Sequence, residues 1–258
     1  LSADGGELSV KGRFNPREQS YDAAIRADSF PLNSFLPADS LGIVDLALQA
    51  RGTGFDPLLP RTRTSLRAQI GRAEFGGRDF GGIELDAELD SQRLSGRISD
   101  RDEALRLLLS VSGTLTEREQ RIGLSGSVFG FDLAALGVSP EPIGGSFALD
   151  ASASAAGKGA YAARIALDSI EIRNKHRTDR IRPTSVSLRT DSAATRAEAA
   201  SGDLSLTFST PQSADSLIAA LTRSARALAG QIDAQSIDME QLKPALPDFA
   251  LRVSAGPD

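Results

Sequence analysis

Ile83-Glu84-Leu85-Asp86-Ala87-Glu88-Leu89-Asp90 is the stretch on which the reading of the fold turns. Every second residue is apolar and each residue between is a carboxylate. Successive side chains of a strand point to opposite faces, so Ile83, Leu85, Ala87 and Leu89 share one face and the acids the other. Working outward, the same alternation appears at Leu8-Val10-Gly12, Tyr21-Ala23-Ile25, Leu46-Leu48-Ala50 and Leu66-Ala68-Ile70. It continues at Leu105-Leu107-Leu109-Val111 and Ile122-Leu124-Gly126-Val128. Further along come Phe147-Leu149-Ala151-Ala153, Tyr161-Ala163-Ile165-Leu167, Val186-Leu188 and Leu204-Leu206-Phe208. Turn signals separate the runs: Gly5-Gly6, Asn15-Pro16, Gly76-Gly77, Gly81-Gly82, Gly144-Gly145 and Gly157-Lys158-Gly159. Many short one-sided runs between such turns predict an all-β chain of antiparallel hairpins, with about 14 to 17 strands.

One segment departs from period two. Between Pro211 and Ala229, Leu217, Leu221, Ala225 and Leu228 recur at helical spacing. Thr210 is the expected N-cap, Pro211 suits the first turn and Gly230 the end. The helix is read as cover for an end or edge of the sheet. The alternative is a gate over an apolar cavity, through Leu217, Leu221 and Leu228.

A short repeat is also present. Phe30-Pro31-Leu32-Asn33-Ser34-Phe35, Phe131-Asp132-Leu133-Ala134-Ala135-Leu136 and Ile237-Asp238-Met239-Glu240-Gln241-Leu242 share apolar residues at the same offsets. Prolines follow at Pro37, Pro140 and Pro244. Each copy is read as a helical turn that starts a new block of sheet. The expected sub-blocks of one elongated section are residues 1–128, 129–235 and 236–258.

Composition narrows the chemistry. The 258 residues carry a net charge of -5, no cysteine and one histidine, so thiolate chemistry and a His-rich metal centre are excluded. The negative balance argues against nucleic acid. Only Lys11, Lys158, Lys175 and Lys243 are lysines; the other basic residues are arginines, a skew read as composition rather than function. Phosphate-binding glycine loops and a nucleophile elbow are missing. The row Glu84, Asp86, Glu88 and Asp90 is read as a solvated strand face rather than an acid–base pair, because 5% aromatics and no tryptophan make a poor sugar platform. It matches no calcium loop. Gly76-Gly77-Arg78-Asp79-Phe80-Gly81-Gly82 is read as a hairpin turn. His176, within Arg173-Asn174-Lys175-His176-Arg177-Thr178-Asp179-Arg180-Ile181-Arg182, is placed in a charged hairpin loop, with contact to an anionic headgroup or acidic partner as the alternative. No catalytic residue, metal ligand or cofactor is assigned.

What is left is the apolar face itself. Such a surface closes into a core or stays open as a trough suited to acyl chains. The predicted lining is Ile83, Leu85 and Leu89, then Leu107, Leu109 and Val111, then Ile122 and Leu124. Phe147, Leu149, Ile165 and Leu167 continue it, followed by Val186 and Leu188, and then Leu204, Leu206 and Phe208.

Two phrases carry a family likeness. Asp28-Ser29-Phe30-Pro31-Leu32-Asn33-Ser34-Phe35-Leu36-Pro37 is followed by Gly52-Thr53-Gly54-Phe55-Asp56-Pro57. Ser236-Ile237-Asp238-Met239-Glu240-Gln241-Leu242-Lys243-Pro244-Ala245-Leu246-Pro247 leads into Leu251-Arg252-Val253-Ser254-Ala255-Gly256. With the strand repeats around them they resemble the TamB family of AsmA-like proteins, in a Bacteroidetes-type form, and an internal segment of it. The resemblance implies a long, curved sheet with a taco-like hydrophobic groove, in a periplasmic protein anchored in the inner membrane. It implies phospholipid acyl chains as cargo moving between the membranes, and an Omp85-type outer-membrane barrel as a partner of other parts of the full-length protein. A role as scaffold or chaperone in outer-membrane protein assembly is the alternative. Strands stack about 4.8 Å apart, so roughly 15 in series would extend about 70 Å, a length of conduit rather than a whole bridge.

Overall fold

The computed structural model describes residues 2–3, 5–34, 41–75, 78–157, 159–220, 222 and 248–256. Among these the chain is all-β and antiparallel, its strands pairing in hairpin order as the alternation predicts. It divides into two compact units, Leu1–Ala151 with Leu167–Arg182, and Ser152–Ala166 with Pro183–Asp258.

The first unit opens with β1 (Ser2–Ala3), β2 (Gly6–Asn15), β3 (Ser20–Pro31) and a 3-10 turn (Leu32–Ser34). Then come β4 (Leu41–Thr53), β5 (Arg63–Phe75), β6 (Arg78–Phe80) and β7 (Ile83–Asp90). β8 (Arg93–Arg101), β9 (Leu105–Leu115) and β10 (Glu119–Asp132) follow. β5 pairs first with β6, Phe75 opposite Arg78, and then with β7, Ile70 opposite Ile83. Arg78–Phe80 of the glycine-rich stretch therefore pairs back on β5, and Gly81 and Gly82 lead into β7; residues 76 and 77 lie outside the described residues. The β7–β8 turn holds Ser91 and Gln92 at φ 51 and 69. Two positive φ values in a two-residue loop match the right-handed twist of the strands that it joins.

The division between the units falls within β11 (Gly144–Ala156) and β12 (Ala160–Arg173); β13 (Thr178–Ile181) belongs to the first unit. The second unit continues through β14 (Thr184–Thr190), β15 (Thr195–Ser201), β16 (Leu204–Thr210) and β17 (Ala250–Ala255).

A bulge interrupts the β3–β4 ladder: in Ala27-Asp28-Ser29-Phe30 the register shifts between Ala27 and Phe30, with Ser29 at φ 47. In the similar phrase Leu167-Asp168-Ser169-Ile170, Ser169 stands at φ 51. The residue after the positive-φ serine is buried in both cases, Phe30 at 3% exposure and Ile170 at 7%. A bulge adds one residue and returns the next apolar side chain to the same face. A further register shift lies between Val128 and Gly130 of β10.

The first two copies of the repeat do form turns that lead into strands. Leu32–Ser34 is the 3-10 turn before β4. Before β11, the Leu136 N–H donates to the Asp132 carbonyl at 2.9 Å and the Val138 N–H to that of Leu133 at 2.8 Å. The third copy, 237–242, lies outside the described residues.

The helix starts later than expected. Thr210 is the last residue of β16, not an N-cap, and its hydroxyl donates to the Asp248 carbonyl at 2.6 Å. Helical structure begins at residue 214. The Ser213 hydroxyl accepts from the Ser216 N–H at 3.3 Å, and the Leu217 N–H donates to the Ser213 carbonyl at 2.9 Å. Ser213 is thus the cap. The strand ladder holds Thr210 extended, so the sequence signal at Thr210-Pro211 loses to tertiary pairing. Leu217 is half-buried and Ala220 buried, whereas Ile218 faces solvent; Leu221, Ala225 and Leu228 lie outside the described residues.

Candidate functional site: the apolar sheet faces

Residues directly opposite in an antiparallel pair share a face, so the register traces the apolar surface from strand to strand. Val10 stands opposite Ile25, Ile25 opposite Leu48, and Leu48 opposite Ala68. Ala68 faces Leu85, Leu85 faces Ile98, and Ile98 faces Leu109. Leu109 faces Gly126, with Val111 opposite Leu124 and Leu107 opposite Val128 beside it. The predicted lining Ile83, Leu85, Leu89, Leu107, Leu109, Val111, Ile122 and Leu124 is therefore brought onto one face. Phe147 joins it through a ring contact with Phe131 at 6.1 Å. Leu149 follows two residues on in the same strand.

The face is only partly covered. Leu89, Leu109 and Val128 are buried, yet Ile122 and Val10 are exposed, and among the described residues no side chain falls below 2% exposure. Side-chain clusters stand at the two ends of the β2–β5 face. At one end Phe55 stacks on Tyr21 with ring centroids 5.5 Å apart and tilts against Phe14 at 5.6 Å. At the other, Ala27, Phe30 and Val44 form a small core with Leu8, Leu32, Leu46 and Ala73 packed against it. Gly126 sits beside Leu109 at φ 152; a Cβ there would come 2.9 Å from the Leu109 Cα, so the close approach of β9 and β10 needs glycine.

In the second unit the register joins Val186 to Ala199, Ala199 to Leu206, and Leu206 to Val253. Leu188 joins Ala197, Ala197 joins Phe208, and Phe208 joins Leu251. The predicted residues Val186, Leu188, Leu204, Leu206 and Phe208 thus share a face, with all but Phe208 among the exposed large apolar residues. Ile165 and Leu167 fall on opposite sides of the division between units; Ile165 is exposed and Leu167 half-buried. The face ends on a rung of threonines. Thr190, Thr195 and Thr210 stand opposite one another and are all buried. The Thr190 and Thr195 hydroxyls are 2.8 Å apart, Thr195 donates to the Gln212 carbonyl at 2.8 Å, and the Ala214 N–H donates to Thr190 at 2.9 Å. This rung holds the start of the helix to the sheet end, which fits the covering role.

The opposite face is polar and laced with cross-strand ion pairs. Arg67 holds Asp86 at 2.6 Å, Arg63 holds Asp90 at 2.7 Å, and Arg51 holds Asp22 at 3.2 Å. The carboxylate row of β7 is therefore a solvated strand face with two of its acids spoken for. The hydrogen bond from Arg63, with help from Ser91, holds the Asp90 carboxyl below its ordinary range. Asp100 is the exception to the polar-out rule. It alternates with Leu94, Gly96 and Ile98 and faces Leu107, so it lies on the apolar side, 7% exposed. Burial pushes its carboxyl above the ordinary range, against the hydrogen bonds that it accepts from the Asp102 and Arg101 backbone. His176 lies in the β12–β13 hairpin loop, its N–H donating to Asn174 Oδ1 at 2.9 Å.

Several residues of the face went unread. Leu94 and Ile98 in β8 flank a glycine, and Ala197 and Ala199 in β15 are too small to mark a strand. Leu94-Ser95-Gly96-Arg97-Ile98 does alternate, so that signal was there to be found. No family model, no curated protein and no solved structure matches the chain.

Proposed function

We propose that this chain is a section of a bridge-like TamB/AsmA-like protein, and that its apolar sheet face carries phospholipid acyl chains between inner and outer membranes. The observation that carries the reading is the register-aligned apolar face of each unit, on which Val10 and Ile122 in the first and Val186, Leu188, Leu204 and Leu206 in the second stay exposed. Contiguous exposed apolar surface marks a binding surface, because a soluble chain does not otherwise leave it in water. On this reading the protein works in the periplasm, the full-length form is anchored in the inner membrane, and an Omp85-type barrel engages other parts of it. The chain needs no cofactor and carries out no chemical step.

The test is mass spectrometry of lipids carried through native purification, on the parent and on a variant with Leu107, Leu109 and Leu124 changed to aspartate. Phospholipid on the parent and its loss from a variant that retains its β circular dichroism supports the reading. Equal lipid on both, or none on the parent, contradicts it.

A second reading, a scaffold for nascent outer-membrane strands, is favoured by one observation. Among the described residues β2 pairs beyond β3 with the two residues of β1, opposite Gly6 and Glu7, and Ser9–Asn15 offers an edge for strand addition.

A further inference from the structure

Ion pairing leaves one part of the polar face unbalanced. Arg101 on β8 stands directly opposite Arg106 on β9. Like charges directly opposite destabilise a strand pair. Arg97 lies on the same face of β8, with Ser99 midway between it and Arg101. Among the described residues none of these three guanidiniums has an ion-pair partner, unlike Arg63, Arg67 and Arg72 nearby. They border a hollow of about 470 Å³ that Glu84, Asp86 and Asp100 also line. Asp86 is already held by Arg67 at 2.6 Å, so the three arginines face two remaining carboxylates, Glu84 and Asp100.

Its floor and wall also break the pattern. Leu108, opposite Ser99, is a leucine on an otherwise polar face. Phe129 projects from the β10 bulge at 57% exposure, and both residues line the hollow. Gly130, opposite Arg106, leaves room for the guanidinium: a Cβ there would come 3.1 Å from Arg106 Nη2.

We propose that this hollow binds a phosphate ester carrying an apolar group. The phosphoryl group sits over Ser99 among Arg97, Arg101 and Arg106, and the apolar part lies on Leu108 and Phe129. Guanidinium forks match phosphate oxygens bidentately and remain charged, which is why arginine serves where lysine would not. A bound dianion turns the Arg101–Arg106 repulsion into two attractions. Apart from Asp100 and Leu107, its lining residues lie on the face opposite the acyl-chain surface, and the proposal does not rest on that surface carrying lipid.

The experiment is calorimetric titration of the whole chain with inorganic phosphate and with phenyl phosphate, beside co-sedimentation with phosphatidylglycerol and phosphatidylcholine vesicles. Phenyl phosphate should bind more tightly than inorganic phosphate. Arg101→Gln with Arg106→Gln should weaken binding by about tenfold or more, the loss of one or two charge-assisted hydrogen bonds. Phe129→Ala should erase the preference for phenyl phosphate, and Arg63→Gln should change nothing. Without ligand, Arg106→Gln should raise Tm by roughly 1–3 °C through relief of repulsion, which separates lost binding from lost fold. Phenyl phosphate binding without vesicle binding assigns the site to a soluble ester. Arginine-dependent sedimentation with phosphatidylglycerol but not phosphatidylcholine assigns it to a lipid headgroup. Binding of neither probe, or binding that the arginine pair does not affect, overturns the proposal.

Discussion

Leu109 in β9 and Leu206 in β16 hold the same kind of position, on the apolar face of a strand paired on both sides. Yet Leu109 is 8% exposed and Leu206 is 38% exposed. The difference lies in their neighbours. Leu109 sits between Ile98 and a glycine that lets β10 approach closely, in strands of 9 to 14 residues. Leu206 sits between Ala199 and an exposed Val253, in strands of six and seven residues. Alternation assigns a residue to a face; the size of the flanking side chains and the length of the strands decide how much water that face sees.

The largest effects should come from the covered positions. Phe30→Ala should cost about 3–5 kcal/mol, and Leu109→Ala about 2–3, while Leu206→Ala should cost about 1 kcal/mol or less, by urea unfolding of each variant. Equal costs at Leu109 and Leu206 would break the comparison. Gly126→Ala should cost about 1–3 kcal/mol, since its Cβ meets the Leu109 backbone, and Gly12→Ala on the same face should cost less, its Cβ meeting only the Asp22 carbonyl at 3.7 Å. Thr195→Val should cost about 1–3 kcal/mol by leaving the Thr190 rung and the Gln212 carbonyl short of a partner, and should loosen the helix start in hydrogen exchange. The two faces should also titrate with opposite sign. Asp90, held low by Arg63, adds stability above the ordinary aspartate range that is lost as pH falls through its folded pKa. Asp100, pushed up by burial, favours the folded state in acid and loses that contribution as pH rises through its folded pKa. Tm profiles of Asp90→Asn and Asp100→Asn between about pH 3 and pH 7 should therefore depart from the parent in opposite directions, the Asp90 change being small because its ion pair is exposed.

The strands with large alternating residues were legible in sequence, and so were the face shared by Ile83, Leu109 and Leu124 in the first unit and that shared by Val186 and Leu206 in the second. The bulge before Phe30 was not, although it keeps Phe30 on the buried side. It is a backbone event at Ser29, and hydropathy carries no mark of it. The β15 strand escaped because alanines at 197 and 199 bury too little area to stand out. The helix cap was misplaced by three residues, since Thr210 looks like a cap until β17 is known to pair beside it. The basic hollow was invisible because Arg97, Arg101 and Arg106 meet only through strand register.

The central claim is that the apolar face binds acyl chains and its polar reverse does not. Photo-crosslinking tests it at neighbouring positions. Benzoylphenylalanine would be placed at Leu48 or Gln49 in the first unit, and at Leu206 or Ser205 in the second, with irradiation in the presence of phospholipid. The account predicts phospholipid adducts from positions 48 and 206 and none from 49 and 205. Adducts of equal yield from both members of each pair, or from neither, would contradict it.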